Sequence, residues 1–348
     1  MWQSTLLLER LGLGSLTGDK HEFRTGRNEN RVGVTSTGCA VFVKRLDSEQ
    51  RDSVARFRRM VLFEEFAVND QGDGLSSPPC LGWGEEELTI VFAWLKDAHS
   101  GAELARDERL TDELAQEMGR TVGTLHALSL ESLSGDSEDL PLMPPLEMFE
   151  ALPRAYYTRA SGASLEAWRL LQNDQDLIAG LRRLRDWESS AERVPAHCDL
   201  RLDQFLIQGE RVHLCDWEEF RLADPARDIG GFVGEWLYRA VLEIPAQLST
   251  LGDQLTHRRV IESGTRELER LRSKNSAFWA GYRRMVAVSD PNLAIRATAF
   301  AGWHLIDRML AGAERRPLLT AAERAAAGIG RTAVLNPARF TEILGLRN

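Results

Sequence analysis

The sequence predicts an α+β chain of two lobes, a small antiparallel sheet with one helix followed by a larger, mostly helical part. Three patterns carry this. Short apolar runs bounded by turn residues fill the chain as far as Ala93. Beyond it, apolar residues recur at helical steps, and a single hairpin pattern around Gly209 interrupts them. At 348 residues the chain exceeds one ordinary single-core domain. We therefore expect residues 1–93 as one lobe and 94–348 as the other.

The elements follow in order. Gly26–Thr35 and Cys39–Leu46 are two apolar runs flanking a Ser36-Thr37-Gly38 turn, which reads as strand, turn, strand ending at Lys44. From Asp52 to Val68 the residues Val54, Phe57, Val61, Phe66 and Val68 suit a helix. Leu88–Leu95 is a buried-strand pattern. Leu114, Met118, Val122, Leu125 and Leu128 mark the next helix, and Ser129–Pro145 is a polar loop with several prolines. After Asp228, helices are expected at 232–242, 255–274, 277–288 and 293–310, with terminal segments over 321–343.

The most informative stretch is His197-Cys198-Asp199-Leu200-Arg201-Leu202-Asp203-Gln204, followed by Leu214-Cys215-Asp216-Trp217-Glu218. Between them, Phe205–Ile207 and Val212–Cys215 flank Gln208-Gly209-Glu210-Arg211, a hairpin with its turn at Gly209. Antiparallel pairing brings Gln204 and Asp216 to the same end of the ribbon, so a carboxylate and an amide oxygen can share one ion, with Asp199 in the loop leading to that end. Phosphoryl transfer needs such a set: one carboxylate takes the acceptor hydroxyl's proton, while another and an amide oxygen hold the magnesium bound to the phosphates.

These residues resemble the catalytic and metal-binding loops of the aminoglycoside phosphotransferase and choline kinase superfamily, His-Gly-Asp-x-x-x-x-Asn and Ile-Asp-Trp-Glu. Leu222-Ala223-Asp224-Pro225-Ala226-Arg227-Asp228-Ile229-Gly230 is similar to the same family's continuation. The resemblance implies a two-lobed protein-kinase-like fold and an ATP- and Mg2+-dependent O-phosphotransferase. It makes Asp199 the catalytic base, Asp216 and Gln204 the metal ligands, and Asp228 a structural acid. Gln204 stands where Asn is usual and Cys198 where Gly is usual. Gln keeps the amide oxygen on a chain one methylene longer.

The same resemblance implies a nucleotide site upstream. Lys44, at the end of an apolar run, would reach the α/β-phosphates, and the loop with Asn28 and Asn30 would cover them. A helix glutamate would pair with the lysine; Glu64 is chosen, with Glu65 as the alternative, since adjacent helical residues diverge by about 100°. Ala93 and Leu95, on a run resembling the hinge strand, would offer backbone contacts to adenine, and Trp94 would point away or help wall the site. His126 reads as a packing and hydrogen-bonding residue. No Walker-type Gly-x-x-x-x-Gly-Lys-Ser/Thr occurs.

A formal net charge of −9 argues against nucleic-acid binding through a basic surface. No apolar run approaches a membrane span and the start lacks a secretory pattern, so the expectation is a cytoplasmic protein without a membrane partner. Cys39, Cys80, Cys198 and Cys215 show no close pairing and read as reduced thiols. Three acceptor readings stay open. The strings Asp-Leu-Arg-Leu-Asp-Gln-Phe-Leu and Asp-Pro-Ala-Arg-Asp-Ile-Gly-Gly-Phe-Val-Gly-Glu-Trp-Leu-Tyr-Arg-Ala resemble phosphotransferase-like proteins of class V lanthipeptide and thioamitide pathways, which implies a precursor-peptide Ser/Thr acceptor and a partner biosynthetic protein. The alternatives are a small aminoglycoside, sugar or amino alcohol, for which a closed acidic pocket beside Asp199 is expected, and a pseudokinase scaffold.

Overall fold

The computed structural model describes residues 4–24, 28–48, 52–69, 75–129, 144–249, 257–287 and 289–347. Gly26 and Arg27 of the expected phosphate-covering loop, nearly all of the 129–145 loop, and Leu255 lie outside these residues. In chain order the elements are α1 (Ser4–Arg10), β1 (Leu16–Arg24), β2 (Glu29–Thr35), β3 (Ala40–Arg45), α2 (Ser53–Asn69), β4 (Cys80–Gly84), β5 (Thr89–Ala93), β6 (His99–Ser100), α3 (Gly101–Arg106) and α4 (Asp112–His126). Then follow α5 (Leu146–Glu150), α6 (Arg154–Tyr157), α7 (Gly162–Gln172), α8 (Gln175–Ser189), β7 (Val194–Ala196), β8 (Phe205–Gln208), β9 (Arg211–Leu214) and β10 (Arg221–Ala223). The last elements are α9 (Ala226–Ser249), α10 (His257–Met285), α11 (Leu293–Ala313), α12 (Ala321–Leu335) and α13 (Pro337–Thr341). The α+β class is the one that the sequence implied.

Compactness divides the chain into two units whose limits differ from a single cut after Ala93. The first comprises residues 1–109, 129–134 and 203–221; the second comprises 110–128, 135–202 and 222–348. The chain thus crosses between units several times, because β8 pairs with β6, and β9 with β8, in a three-stranded sheet that groups with the N-terminal segment.

The first unit is built on an antiparallel sheet in the order β1-β2-β3-β5-β4. Its alternating pattern puts Val41 and Val43 inward with Val91, where they meet Leu7 and Leu8 of α1. The β2–β3 turn falls at Ser36-Thr37-Gly38 as the sequence indicated, Gly38 taking a left-handed φ of 85° that a side chain would oppose. The hairpin is also where the sequence placed it: Phe205 faces Leu214 and Gln208 faces Arg211 around Gly209.

The second unit is helical apart from the short β7–β10 pair. Its core gathers Phe149, Trp168, Leu181, Trp303, Ile306 and Val334 from α5, α7, α8, α11 and α12. The helices over 146–189 were not among the elements expected from sequence, although Leu177, Ile178, Leu181 and Leu184 of α8 recur at helical steps. Two helices expected at 255–274 and 277–288 are one, α10. Lys274-Asn275-Ser276 contains neither Gly nor Pro, so nothing in it halts the helix. Among the described residues no helix is long and apolar enough to cross a membrane.

Candidate active site

In the first unit Lys44 is next to last in β3 and is 5% exposed. Its Nζ donates to Asp216 Oδ1 at 2.5 Å and forms a second ion pair with Glu218 Oε1. Burial alone would lower the lysine's pKa, but these two carboxylates outweigh it and hold the ammonium above its usual range. Glu218 in turn accepts from Arg56 Nε at 2.7 Å, from Arg56 Nη2 and from Asn28 Nδ2, while its carbonyl accepts from Arg59 Nε at 2.5 Å. Arg56 is fully buried and also donates to Asn28 Oδ1 at 2.9 Å. A buried guanidinium is tolerated only with such charge-assisted bonds.

The hairpin fixes Asp216 within this set. The Cys215 amide donates to the Gln204 carbonyl at 3.0 Å, tying the two strand ends together as the register requires. Leu214 N–H donates to Ser76 O at 2.8 Å and His213 Nδ1 lies 2.9 Å from Ser76 Oγ. Asp216 adopts φ 74°, ψ 60°, a left-handed conformation that costs a non-glycine residue about 1 kcal/mol or more. Trp217 then stacks on Phe63 of α2, ring centroids 3.5 Å apart, which anchors the strained turn.

In the second unit the loop that begins at His197 hangs from one carboxylate. Asp228, in the first turn of α9, accepts the backbone N–H of His197 and of Cys198, each at 2.7 Å, and His126 Nε2 at 3.1 Å. Tyr282 hydroxyl lies 3.1 Å from the other ring nitrogen of His126. Burial would push Asp228 up, yet the His126 bond, the His126 and His197 rings and the backbone donor hold it below the usual carboxylate range. Cys198, standing where Gly is usual, takes φ 65°, the conformation in which glycine is strain-free. Gly231 of α9 lets the loop approach: a Cβ there would lie 2.6 Å from the Leu200 carbonyl oxygen. Asp199 itself is 41% exposed, with Arg201 Nε 3.9 Å from its Oδ2.

The site residues expected from sequence are placed as follows. Lys44, Asp216 and Asn28 converge; Asn30 is the cross-strand neighbour of Lys44 on β2, its Oδ1 buried without a hydrogen-bond partner. Gln204 is buried at the ribbon end beside Asp216 in sequence register. Ala93 donates its N–H to Pro79 O at 2.8 Å, Leu95 lies just beyond β5, and Trp94 stacks on Phe42 at 6.4 Å. Glu64 is not among the partners of Lys44. It is buried, its Oε1 has no hydrogen-bond partner, and burial pushes its pKa up to about 7. Glu65 is exposed. Sequence reasoning left out Glu218 and Arg56. Glu218 lay inside a quoted motif, and Arg56 interrupts the apolar face of α2, which was the available signal.

Asp216 and Gln204 supply one carboxylate and one amide oxygen. Among the described residues no three His, Cys, Asp or Glu side chains form a cage. That sparse, hard donor set fits magnesium, which keeps several ligand positions for water and phosphate oxygens.

The first unit carries a strand lysine on a hairpin carboxylate, and the second an exposed aspartate on a backbone-anchored loop. The chain belongs to the phosphotransferase enzyme family, whose model matches residues 24–272. No curated protein sequence matches it. Among solved structures it is similar to the amicoumacin kinase hAmiN in complex with AMP-PNP, Ca2+ and Ami, with a TM-score of 0.56 and 14% identity over 97% of this chain and 94% of that one. A choline/ethanolamine kinase family protein from Mesorhizobium loti gives 0.52 and 16% over 95% and 94%. The ADP-bound aminoglycoside phosphotransferase APH(2'')-Ib gives 0.52 and 12% over 99% and 98%. At these identities the likeness is one of fold.

Proposed function

We propose that the chain transfers the γ-phosphate of ATP to an acceptor hydroxyl, with Asp199 as base and Mg2+ held by Asp216 and Gln204. The observation that carries this reading is the 2.5 Å contact between Lys44 and Asp216, which joins the strand lysine to the hairpin carboxylate. In this reading Lys44 neutralises the α/β-phosphates, Asn28 and Asn30 border them, and Ala93 and Leu95 lie along the adenine edge. Magnesium, when bound, would neutralise the phosphate oxygens on which charge accumulates. Asp199 receives the hydroxyl proton as the new P–O bond forms and the bond from the γ-phosphorus to the bridging oxygen of ADP breaks.

Two acceptor classes remain part of the proposal. The peptide Ser/Thr acceptor, with its partner biosynthetic protein, is supported by the Arg201-Leu202-Asp203-Gln204 context described above. A small-molecule acceptor is supported by the company of small-molecule kinases in fold. A cytoplasmic site of action accompanies both. The test is a mass-spectrometric screen for a phosphate added to candidate acceptors in the presence of ATP and Mg2+, with Asp199→Ala as control. We expect transfer that the control abolishes. Absence of thermal stabilisation by ATP and Mg2+, unchanged in Asp216→Ala, would instead leave a scaffold protein.

A further inference from the structure

Arg56 stands in the first turn of α2, fully buried, where a guanidinium can meet neither solvent nor a ligand directly. Its bonds show what it acts through. Nε donates to Glu218 Oε2 at 2.7 Å, Nη2 donates to the same oxygen, and Nη2 also donates to Asn28 Oδ1 at 2.9 Å. Asn28 closes the ring by donating Nδ2 to Glu218 Oε1. Asp52, one turn earlier, lies 3.9 Å from Nη1, beyond hydrogen-bond distance. Glu218 thus gives one oxygen to Arg56 and the other to Asn28 and Lys44. Every one of these residues, and Asp216, belongs to the first unit.

The two carboxylates on Lys44 differ in what else they hold. Asp216, at 2.5 Å, is the one assigned above to Mg2+, and a cation bound there draws its charge away from the ammonium. Glu218 is pinned from behind by Arg56 and Asn28, its carbonyl accepts from Arg59 Nε at 2.5 Å, and Trp217 before it stacks on Phe63 of α2. It stays where it is. Glu64, the helix residue expected to pair with the lysine, follows Arg56 by eight positions, about 12 Å further along α2, and its Oε1 has no partner.

We propose that Arg56 is a positioning residue for the nucleotide: through Glu218 it holds the Lys44 ammonium at the α/β-phosphates once Mg2+ has engaged Asp216. This rests on the phosphotransferase reading of Lys44 and Asp216. The helix supplies a cation and the metal turn supplies the anion, the reverse of the helix glutamate expected from sequence. Because the lysine's anchor lies on the same turn as the metal carboxylate, and α2 is bonded to that turn through Arg56 and Arg59, lysine and metal ligand keep their spacing without a swing of the helix.

The experiment uses the full chain and reads three quantities in parallel: the Kd for ATP at saturating Mg2+ by calorimetry, the Mg2+ concentration for half-maximal ATP binding, and Tm. We expect Arg56→Met to weaken ATP about tenfold, the worth of one charge-assisted bond, with the Mg2+ requirement changed less than about twofold. Arg56→Lys keeps the charge without the fork and should recover part of the loss. Glu218→Gln should weaken ATP to a similar extent, and the double variant no more than either single one, since both act on one lysine. The double variant also removes both buried charges, so it serves where Arg56→Met alone does not fold. A lowered Tm with Kd unaltered, or losses that multiply in the double variant, gives Arg56 a purely structural role and overturns the proposal. A raised Mg2+ requirement in Glu218→Gln with Kd at saturating Mg2+ unchanged makes Glu218 a metal ligand and overturns it as well. The parent chain reports the underlying reading separately: if it binds no ATP, the phosphotransferase reading is lost and the proposal falls with it.

Discussion

Two buried carboxylates, Glu64 in the first unit and Asp228 in the second, meet burial in opposite ways. Asp228 accepts two backbone amides and a histidine and stays below the ordinary carboxylate range. Glu64 has an Oε1 without a partner, and its pKa rises to about 7. Nearby it, burial and the Glu64 charge push the Cys80 thiol up to about 12. Burial therefore does not decide a carboxylate's role; the donors around it do. Asp228 fixes a loop because its partners are backbone groups, whereas Glu64 is left to take up a proton.

The largest test is Asp228→Asn. An amide retains one acceptor oxygen where three donors converge, so stability should fall by about 3 kcal/mol in a denaturant titration, and kcat should fall at least as steeply as the loop loosens. Unchanged stability would mean that the loop is held by something else.

Glu64→Gln should act in the opposite direction. Between pH 4.5 and about 7 the folded chain keeps a proton on Glu64 that the unfolded chain has released, so this group's contribution falls as pH rises through that window and is flat above it. Asp228 runs the other way, its contribution being present above pH 3.8 and lost as pH falls through its lowered folded value. At pH 8 Glu64→Gln should therefore be more stable than the parent by on the order of 2 kcal/mol, and at pH 4 nearly equal to it. A variant destabilised at pH 8 would show that the ionised form is partnered after all.

Smaller in free energy is the comparison of the two glutamates as partners of Lys44. Glu218→Gln should raise the KM for ATP about tenfold, since the lysine and Arg56 lose a shared counter-charge, while Glu64→Gln should change it less than about twofold. The reverse order would restore the helix glutamate expected from sequence. The smallest effect concerns Cys198→Gly, which relieves a left-handed non-glycine residue and should stabilise the chain by about 0.5–1 kcal/mol, read as a rise in Tm.

Much of the site was legible in the sequence because it is local. The hairpin around Gly209 followed from a period of two and a turn residue, and that register alone brought Gln204 and Asp216 to one ribbon end. Lys44 was legible near the end of an apolar strand. The stripe of Leu177, Ile178, Leu181 and Leu184 in α8 was there to be read in the same way, but not that α11 and α12 cover it, a pairing between residues far apart in the chain.

The sequence by itself determined the class of chemistry, since Asp199, Gln204 and Asp216 lie within one loop and one hairpin whose geometry depends on neighbouring residues. Only the tertiary structure decided which carboxylates answer Lys44, that Arg56 is buried against Glu218, and that Asp228 holds the backbone of His197 and Cys198. Such pairings join residues far apart in the chain. They are selected by burial and by the need to satisfy each buried charge, and no local pattern records either.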